Sequence, residues 1–191
     1  MDENGNLTII GSDHFNVDGY LKSTGQAVYG TDFALPGMLV GKYLRSRHPH
    51  AKILNIDTSR AERLRGVRAV ATGQDYPVRF GLLLRDQTYM ALDRVRYVGE
   101  PVAGVAAIDL DTAMEALELI HIDYEPLPAH FDPLESMQEG EFLIHPEMGN
   151  YVCSDGFKTV PDTNKAYHFK TRTGDVDKGF LESDHVHEGI Y

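Results

Sequence analysis

Cysteine, tryptophan and long hydrophobic runs are what this sequence lacks. It has one cysteine, Cys153, and no tryptophan in 191 residues. A single thiol can form neither an internal disulfide nor a cysteine-rich metal cage, which is typical of a reducing compartment. No apolar run approaches the roughly 18 residues of a membrane span, and the first ten residues do not resemble a secretion signal. We therefore expect a cytoplasmic protein that does not enter a membrane.

Positive charge is also scarce. Lysine and arginine total 18 against 29 aspartate and glutamate residues, which gives a formal net charge of -11. A field of this sign repels phosphate backbones, so we do not expect a nucleic-acid partner. Neither a GxGxxG nor a GxxxxGK[ST] motif is present, and no cysteine–histidine or serine–histidine–aspartate arrangement stands out. The sequence predicts neither a phosphate cradle nor a nucleophilic triad.

The clearest local pattern runs from residue 91 to residue 129. Residues 102–108 are small and apolar, which predicts a central strand covered on both faces. Asp109 or Asp111 is placed to cap a helix, and residues 122 and 124 share a face of a return strand. The predicted helix has an apolar stripe at i, i+3, i+4 and i+7, formed by Ala113, Ala116, Leu117 and Ile120.

A second unit of this kind precedes it. Residues 38–45 and 52–56 read as strands, and Asp57 begins a short helix that Gly66 can end in a left-handed conformation. Residues 67–71 are rich in valine and alanine and predict a further strand. Two β–α–β units on a mixed sheet predict an α+β fold.

The remaining segments carry weaker patterns. We expect a loop at 72–88 with a brief strand at 80–84, and a loop with at most a short helix at 132–165. Three further elements are predicted: a strand at 167–171, a helix at 175–184, and a strand at 184–191. Because the sequence stops within that last pattern, we expect it to be part of a longer protein.

Two histidine groups are candidate metal ligands. His48 and His50 lie two residues apart, as do His185 and His187, which Glu188 follows. Zinc or iron needs three or four ligands, and the first pair has no further partner at a suggestive spacing. The second group looks more like a metal cluster, because residues i and i+2 of a strand share a face. A surface turn or subunit contact is favoured for the first pair, and an ordinary strand for the second.

Three charged groups need separate interpretation. Asp123 and Glu125 could act as an acid–base pair from one strand face, although a solvated strand edge is favoured. Glu100 lies in a Gly-Glu-Pro turn, where a structural role is favoured over a functional one. Arg45 and Arg47 form a local basic patch with His48 and His50, which indicates a docking surface, an anion contact or a solvated loop.

Four ordered blocks resemble the start of the large subunit of molybdenum hydroxylases of the xanthine dehydrogenase and aldehyde oxidase family. They are residues 17–27 (VDGYLKSTGQA), 44–51 (LRSRHPHA), 95–103 (VRYVGEPVA) and 123–128 (DYEPLP). The loop at 77–92 and the segment near His145 look most like the 4-hydroxybenzoyl-CoA reductase branch.

The resemblance implies an N-terminal α/β hammerhead domain. It divides the chain into a flexible N-terminus (1–16), the hammerhead domain (17–135), a linker and peripheral segment (136–173), and the start of a molybdopterin-binding domain (174–191). The family's residues for catalysis, cofactor binding and metal binding come later, so none is expected here.

The resemblance also implies what the parent protein does. It would oxidise an aldehyde or N-heteroaromatic compound, or reduce an aromatic thioester, at molybdenum–molybdopterin. Iron–sulfur clusters and FAD on partner subunits or domains would carry the electrons. This chain would contact those partners and the rest of the large subunit. The alternative is a stand-alone, non-catalytic binding or scaffold module of the same fold, with the 184–191 strand paired inside the domain.

Overall fold

A computed structural model describes residue 7 and residues 9–11, 13–138 and 140–189. The chain divides into two compact units, residues 1–39 and residues 40–191. In the described part of the first unit, helix α1 (Gly19–Ser23) is followed by a 3-10 turn at Gly30–Asp32. The second unit contains the strands and the other helices.

The second unit consists of short elements. The strands are β1 (Val40–Arg45), β2 (Ala51–Asp57), β3 (Val67–Thr72), β4 (Arg79–Phe80), β5 (Gln87–Thr88), β6 (Arg94–Val95), β7 (Pro101–Ala107) and β8 (His121–Pro126). The helices are α2 (Ser59–Glu62), α3 (Leu110–Leu119), α4 (Pro133–Ser136) and α5 (Val176–Leu181). Two 3-10 turns occupy Gly73–Asp75 and Met148–Asn150. No helix among the described residues is long and apolar enough to cross a membrane.

The strands form two three-stranded sheets and one hairpin. The first sheet has the order β1-β7-β3, the second sheet has the order β6-β2-β8, and β4 pairs with β5. Each of these pairings is antiparallel. The prediction of a mixed sheet was therefore wrong, while the two β–α–β units are present. Each unit divides its strands between the two sheets, since β2 and β8 lie in the second sheet and β3 and β7 in the first.

Strand β7 is central in the first sheet, as its small apolar sequence predicts. Ala103, Val105 and Ala107 are buried against helix α3, whose predicted stripe is also buried. A second core cluster contains Ala51, Ala91, Val95 and Val102. Strand β7 contributes to both clusters, because alternate residues of a strand point to opposite faces.

Helix α3 begins at the predicted cap. The Asp109 carboxylate accepts a hydrogen bond from the Thr112 N–H at 2.7 Å. Hydrogen bonds from Thr112, first from its side chain and then from its backbone N–H, lower the pKa of Asp109. Helix α2 is shorter than predicted, although the Asp57 carboxylate accepts from the Ser59 N–H at 3.0 Å and Gly66 has the expected positive φ of 103°.

We expect Asp109→Ala to lower the Tm by a few degrees, because the first turn of α3 loses the acceptor for one of its free N–H groups. Asp111→Ala is the control, since Asp111 lies in the same turn but is not the capping residue. Thermal unfolding followed by circular dichroism measures both variants. Equal Tm values for the two variants would contradict the cap assignment.

The chain after β8 agrees with the sequence only in part. Helix α5 confirms the helix predicted at 175–184, and its Asp175 carboxylate accepts from the Lys178 N–H at 3.1 Å. The strand predicted at 167–171 was wrong, and residues 184–189 likewise lie in no strand. Residues 190 and 191 lie outside the described part. The strand predicted at 80–84 is displaced to Arg79–Phe80, because Gly81 at φ 152° takes the chain out of extended geometry.

Candidate functional site

The β1–β2 loop and the β6–β7 loop form one hydrogen-bonded surface. The Ser46 N–H donates to the Glu100 carbonyl at 2.9 Å, and the Gly99 N–H donates to the Ser46 carbonyl at 2.8 Å. The Arg45 guanidinium donates to the Gly99 carbonyl at 2.8 Å. Gly99 has φ 93°, a conformation that glycine adopts without strain. The two loops therefore hold each other in place at one end of the sheets.

Glu100 uses its carboxylate within this loop pair. Its Oε2 accepts a hydrogen bond from the Arg96 N–H at 2.5 Å. Burial raises the pKa of Glu100, since desolvation outweighs the lowering effects of the Arg96 N–H and the Arg96 charge. The structural interpretation of Glu100 is supported by this bond, which ties the side chain to its own turn.

Glu100→Gln is expected to be at least as stable as the unaltered chain at pH 7. A raised pKa means that the folded state favours the protonated carboxyl of Glu100. The stability that this protonated group contributes is fully present below the unfolded pKa near 4.5, and it is lost as pH rises through the folded pKa. Glutamine keeps an acceptor for the Arg96 N–H and removes the charge.

Urea unfolding at pH 7 and pH 4 tests this prediction, with the exposed helical substitution Glu115→Gln as control. The midpoint difference between Glu100→Gln and the unaltered chain should shrink at pH 4. A large loss of stability at pH 7 would show instead that the ionised carboxylate is required.

The two histidines of the β1–β2 loop have different neighbours. The His48 ring lies 4.8 Å from the Tyr124 ring, centroid to centroid. His50 is 6% exposed, and its Nδ1 lies 2.6 Å from the Pro128 carbonyl oxygen, to which the Nδ1–H tautomer donates. His50 also stacks on Phe142 at 6.0 Å. Each ring thus packs against a different part of the chain.

The other candidate ligands are separated or exposed. Asp123 lies 3.1 Å from His121 Nε2, and Glu125 lies 3.0 Å from Lys52 Nζ, so the two acids have separate partners. His185, His187 and Glu188 are exposed in irregular chain. Over residues 13–138 and 140–189, no three histidine, cysteine, aspartate or glutamate side chains gather in a metal-binding arrangement.

A polar cluster that the sequence did not indicate surrounds Glu147. The Glu147 carboxylate lies 2.6 Å from the Arg96 guanidinium and 3.5 Å from that of Arg79. The Tyr151 hydroxyl donates to the same Glu147 oxygen at 2.7 Å, and His145 Nδ1 lies 2.8 Å from the Tyr151 hydroxyl. We call these five residues the Glu147 cluster. The cluster connects the residues on both sides of the 3-10 turn at Met148–Asn150 to two other elements. Arg79 makes the connection to β4, and Arg96 makes the connection to the β6–β7 loop.

The charges of the Glu147 cluster stabilise one protonation state. Desolvation opposes ionisation of Glu147, but the Tyr151 hydroxyl, a backbone N–H and Arg96 lower its pKa overall. Burial lowers the pKa of His145, and the Arg96 charge acts in the same direction. Burial and the adjacent Glu147 raise the pKa of Tyr151. These directions favour an ionised Glu147, a neutral His145 and a neutral Tyr151 near neutral pH.

Sequence comparison gives a family for these residues. A family model described as "Aldehyde oxidase and xanthine dehydrogenase, a/b hammerhead domain" matches residues 24–128. The chain is 40% identical over 176 residues to a probable xanthine dehydrogenase subunit from Bacillus subtilis (strain 168), covering 91% of this chain and 22% of that protein. It is 33% identical over 185 residues to "Nicotinate dehydrogenase large molybdopterin subunit" of Eubacterium barkeri, covering 96% and 40%.

Structure comparison agrees. The chain matches a Cu,Mo-CO dehydrogenase crystal structure in its carbon monoxide reduced state with a TM-score of 0.65 and 37% identity, covering 72% of this chain and 18% of that one. The chain thus spans 40% or less of the length of each of these relatives. The family match covers the two β–α–β units and both loops described above. This chain belongs to the aldehyde oxidase and xanthine dehydrogenase family, of which residues 24–128 are the α/β hammerhead domain.

Proposed function

We propose that this chain is the supporting N-terminal lobe of a molybdenum hydroxylase large subunit and carries no catalytic residue itself. It packs against the rest of the large subunit and against partner subunits through the β1–β2 and β6–β7 loops. The observation that supports this role best is the reciprocal hydrogen bonding of Ser46 with Gly99 and Glu100. Backbone groups paired in this way hold a rigid surface and leave the Glu100 carboxylate bound to its own loop.

The domain boundaries belong to the same proposal. Residues 17–135 form the hammerhead domain, 136–173 a peripheral segment, and 174–191 the beginning of a molybdopterin-binding domain. The Glu147 cluster supports a peripheral segment that is fixed to the hammerhead domain, since Glu147 pairs with Arg96 at 2.6 Å. The location proposed is the cytoplasm, which the single cysteine supports.

The parent's chemistry is proposed from the relatives. Its substrate is an aldehyde or an N-heteroaromatic compound, or an aromatic thioester in the 4-hydroxybenzoyl-CoA reductase branch. Molybdenum–molybdopterin supplies the redox chemistry at the substrate, with iron–sulfur clusters and FAD on partner subunits or domains. In the family that the chain resembles, the residues for catalysis and cofactor binding come later in the large subunit, so we assign no catalytic step to the side chains of this chain.

The test measures bound metal and turnover in the purified 191-residue chain. We expect no stoichiometric molybdenum by mass spectrometry and no dye reduction with hypoxanthine, nicotinate or benzaldehyde. The complete large subunit, purified with its partner subunits, is the positive control. Turnover by the 191-residue chain would overturn the proposal, as would a complete subunit that purifies without molybdenum and without partners.

The stand-alone module makes a different structural prediction. It requires the segment from Asp184 onward to be paired as a strand within the domain. Residues 184–189 lie in no strand. The supporting-lobe proposal does not require that pairing, so the structure gives the alternative no specific support.

A further inference from the structure

A groove of about 470 Å³ lies between the β1–β2 loop, helix α3 and strand β8. We call it the α3 groove. Leu44, Leu117 and Ile122 contribute apolar side chains from β1, α3 and β8 respectively. Met114, on the helix side, is 48% exposed. The groove therefore presents apolar surface that the two core clusters do not cover completely.

The loop side of the α3 groove is basic. Arg45 and Arg47 line it together with His48. The Arg45 guanidinium is held by the Gly99 carbonyl at 2.8 Å, and the His48 ring packs beside Tyr124. Arg47 is exposed and has no ion pair or hydrogen bond with any described residue. Arg47 is thus a free cation at the edge of an apolar groove.

The helix side of the same groove carries the opposite charge. Glu118 is exposed on α3 and also lines the groove. A carboxylate entering the groove is attracted to Arg47 and repelled by Glu118, so it must lie on the loop side. The groove can therefore orient an incoming segment as well as bind it.

We propose that the α3 groove binds a segment of a partner subunit in which acidic and aliphatic residues alternate, with a carboxylate at Arg47. This inference rests on the proposed function for the identity of the partner. Charge complementarity carries it, because the exposed Arg47 guanidinium, with no described ion pair and with apolar side chains beside it, attracts a carboxylate whose neighbours are aliphatic. Small anions would use Arg47 and leave the apolar floor exposed, whereas an aliphatic side chain beside the carboxylate covers it.

The first experiment uses defined peptides and the 191-residue chain. The probe is a fluorescein-labelled peptide of alternating leucine and glutamate, and the matched peptides replace glutamate by lysine or leucine by serine. Fluorescence anisotropy at about 0.15 M salt, which screens the long-range repulsion between an acidic peptide and a chain of net charge -11, should give the leucine–glutamate peptide an affinity at least about tenfold higher than either matched peptide. If the lysine peptide binds equally well, the carboxylates do not contribute to binding. If the serine peptide binds equally well, the apolar side chains of the groove do not contribute. Either result overturns the proposal.

Charge-reversed variants locate the binding site. Arg47→Glu should weaken binding of the leucine–glutamate peptide about tenfold, and the difference should shrink at high salt. Arg65→Glu changes the net charge equally at an exposed position outside the groove, and should bind within about twofold of the unaltered chain. Equal weakening by both variants would mean that only net charge matters, which overturns a site at the α3 groove.

A cross-linking experiment tests the occupant in the assembled enzyme. The photoreactive residue p-benzoylphenylalanine replaces Met114 in the complete large subunit, which is irradiated with its co-purified partner subunits and analysed by mass spectrometry. We expect a cross-link to an acidic, aliphatic segment of a partner subunit. A cross-link to any part of the large subunit itself, or to a second copy of it, would overturn the inference and leave the proposed function standing. The absence of co-purifying subunits would instead overturn the proposed function, and the peptide result would still stand by itself.

Discussion

Gly73→Ala is expected to lower the free energy of unfolding by roughly 3 kcal/mol. A Cβ at this position would lie 2.2 Å from the Ala91 carbonyl oxygen and 2.9 Å from the Ala91 carbonyl carbon. Both are backbone atoms, so no side-chain rotation can relieve the overlap. Ala91 is 2% exposed, and its N–H donates to the Pro101 carbonyl at 2.8 Å. Moving Ala91 would therefore disturb the second core cluster and the start of β7 together.

Gly41→Ala is the matched control for this substitution. Gly41 lies in β1, and a Cβ there would meet no heavy atom within 4 Å. Its free energy of unfolding should stay within about 0.5 kcal/mol of the unaltered chain. Urea unfolding followed by fluorescence and by circular dichroism gives both values. Similar urea midpoints for the two variants would mean that the 3-10 turn at Gly73–Asp75 moves away from Ala91 without loss of stability.

Local patterns in the sequence were sufficient for the elements around β7. The small apolar run predicted a central strand, and the Asp109 cap with its i, i+3, i+4, i+7 stripe predicted α3, because both depend on neighbours within a few residues. The pairing of the sheets was not predictable in this way. The sequence of a β–α–β unit does not show that its two strands enter different sheets, as β7 and β8 do.

The candidate site shows the same limit. The basic patch at Arg45 and Arg47 was visible in the sequence, because its members are adjacent, and its interpretation as a docking surface stays a prediction. The Glu147 cluster was not visible. Glu147 is 51 residues from Arg96 and 68 from Arg79, and its segment has no periodic pattern. The one available signal was a glutamate flanked by His145 and Tyr151 in an otherwise irregular region.

Glu147→Ala is expected to release the segment around the 3-10 turn at Met148–Asn150. The free energy of local opening of this segment should fall by roughly 2 kcal/mol. The side chain of Arg96 is only 10% exposed, and the substitution leaves its guanidinium with the Ile144 carbonyl as its remaining described partner. The Tyr151 hydroxyl loses its acceptor at the same time. Because the cluster fixes one segment, the loss should appear as local opening.

Acid should weaken the same attachment in two steps. The pKa of His145 is lowered from its usual 6.5, chiefly by burial. The unfolded chain therefore binds a proton on His145 more readily than the folded chain does. The free energy of unfolding falls as pH drops from 6.5 towards the pKa of the folded state. The pKa of Glu147 is also lowered, so its contribution is present above the unfolded pKa near 4.5 and is lost as pH falls through the folded pKa. His145→Gln should remove the first step and retain the second.

Amide hydrogen exchange over residues 144–153 distinguishes these contributions. Glu147→Gln retains an acceptor for Tyr151 without the charge, so its protection should lie between those of Glu147→Ala and the unaltered chain. Glu115→Ala, an exposed glutamate on α3, is the control and should leave the protection unchanged. If Glu147→Ala exchanges as slowly as this control, the Arg96 ion pair does not hold the segment. Faster exchange confined to residues 144–153, with β7 still protected, would show that the ion pair fastens this segment to a domain that folds without it.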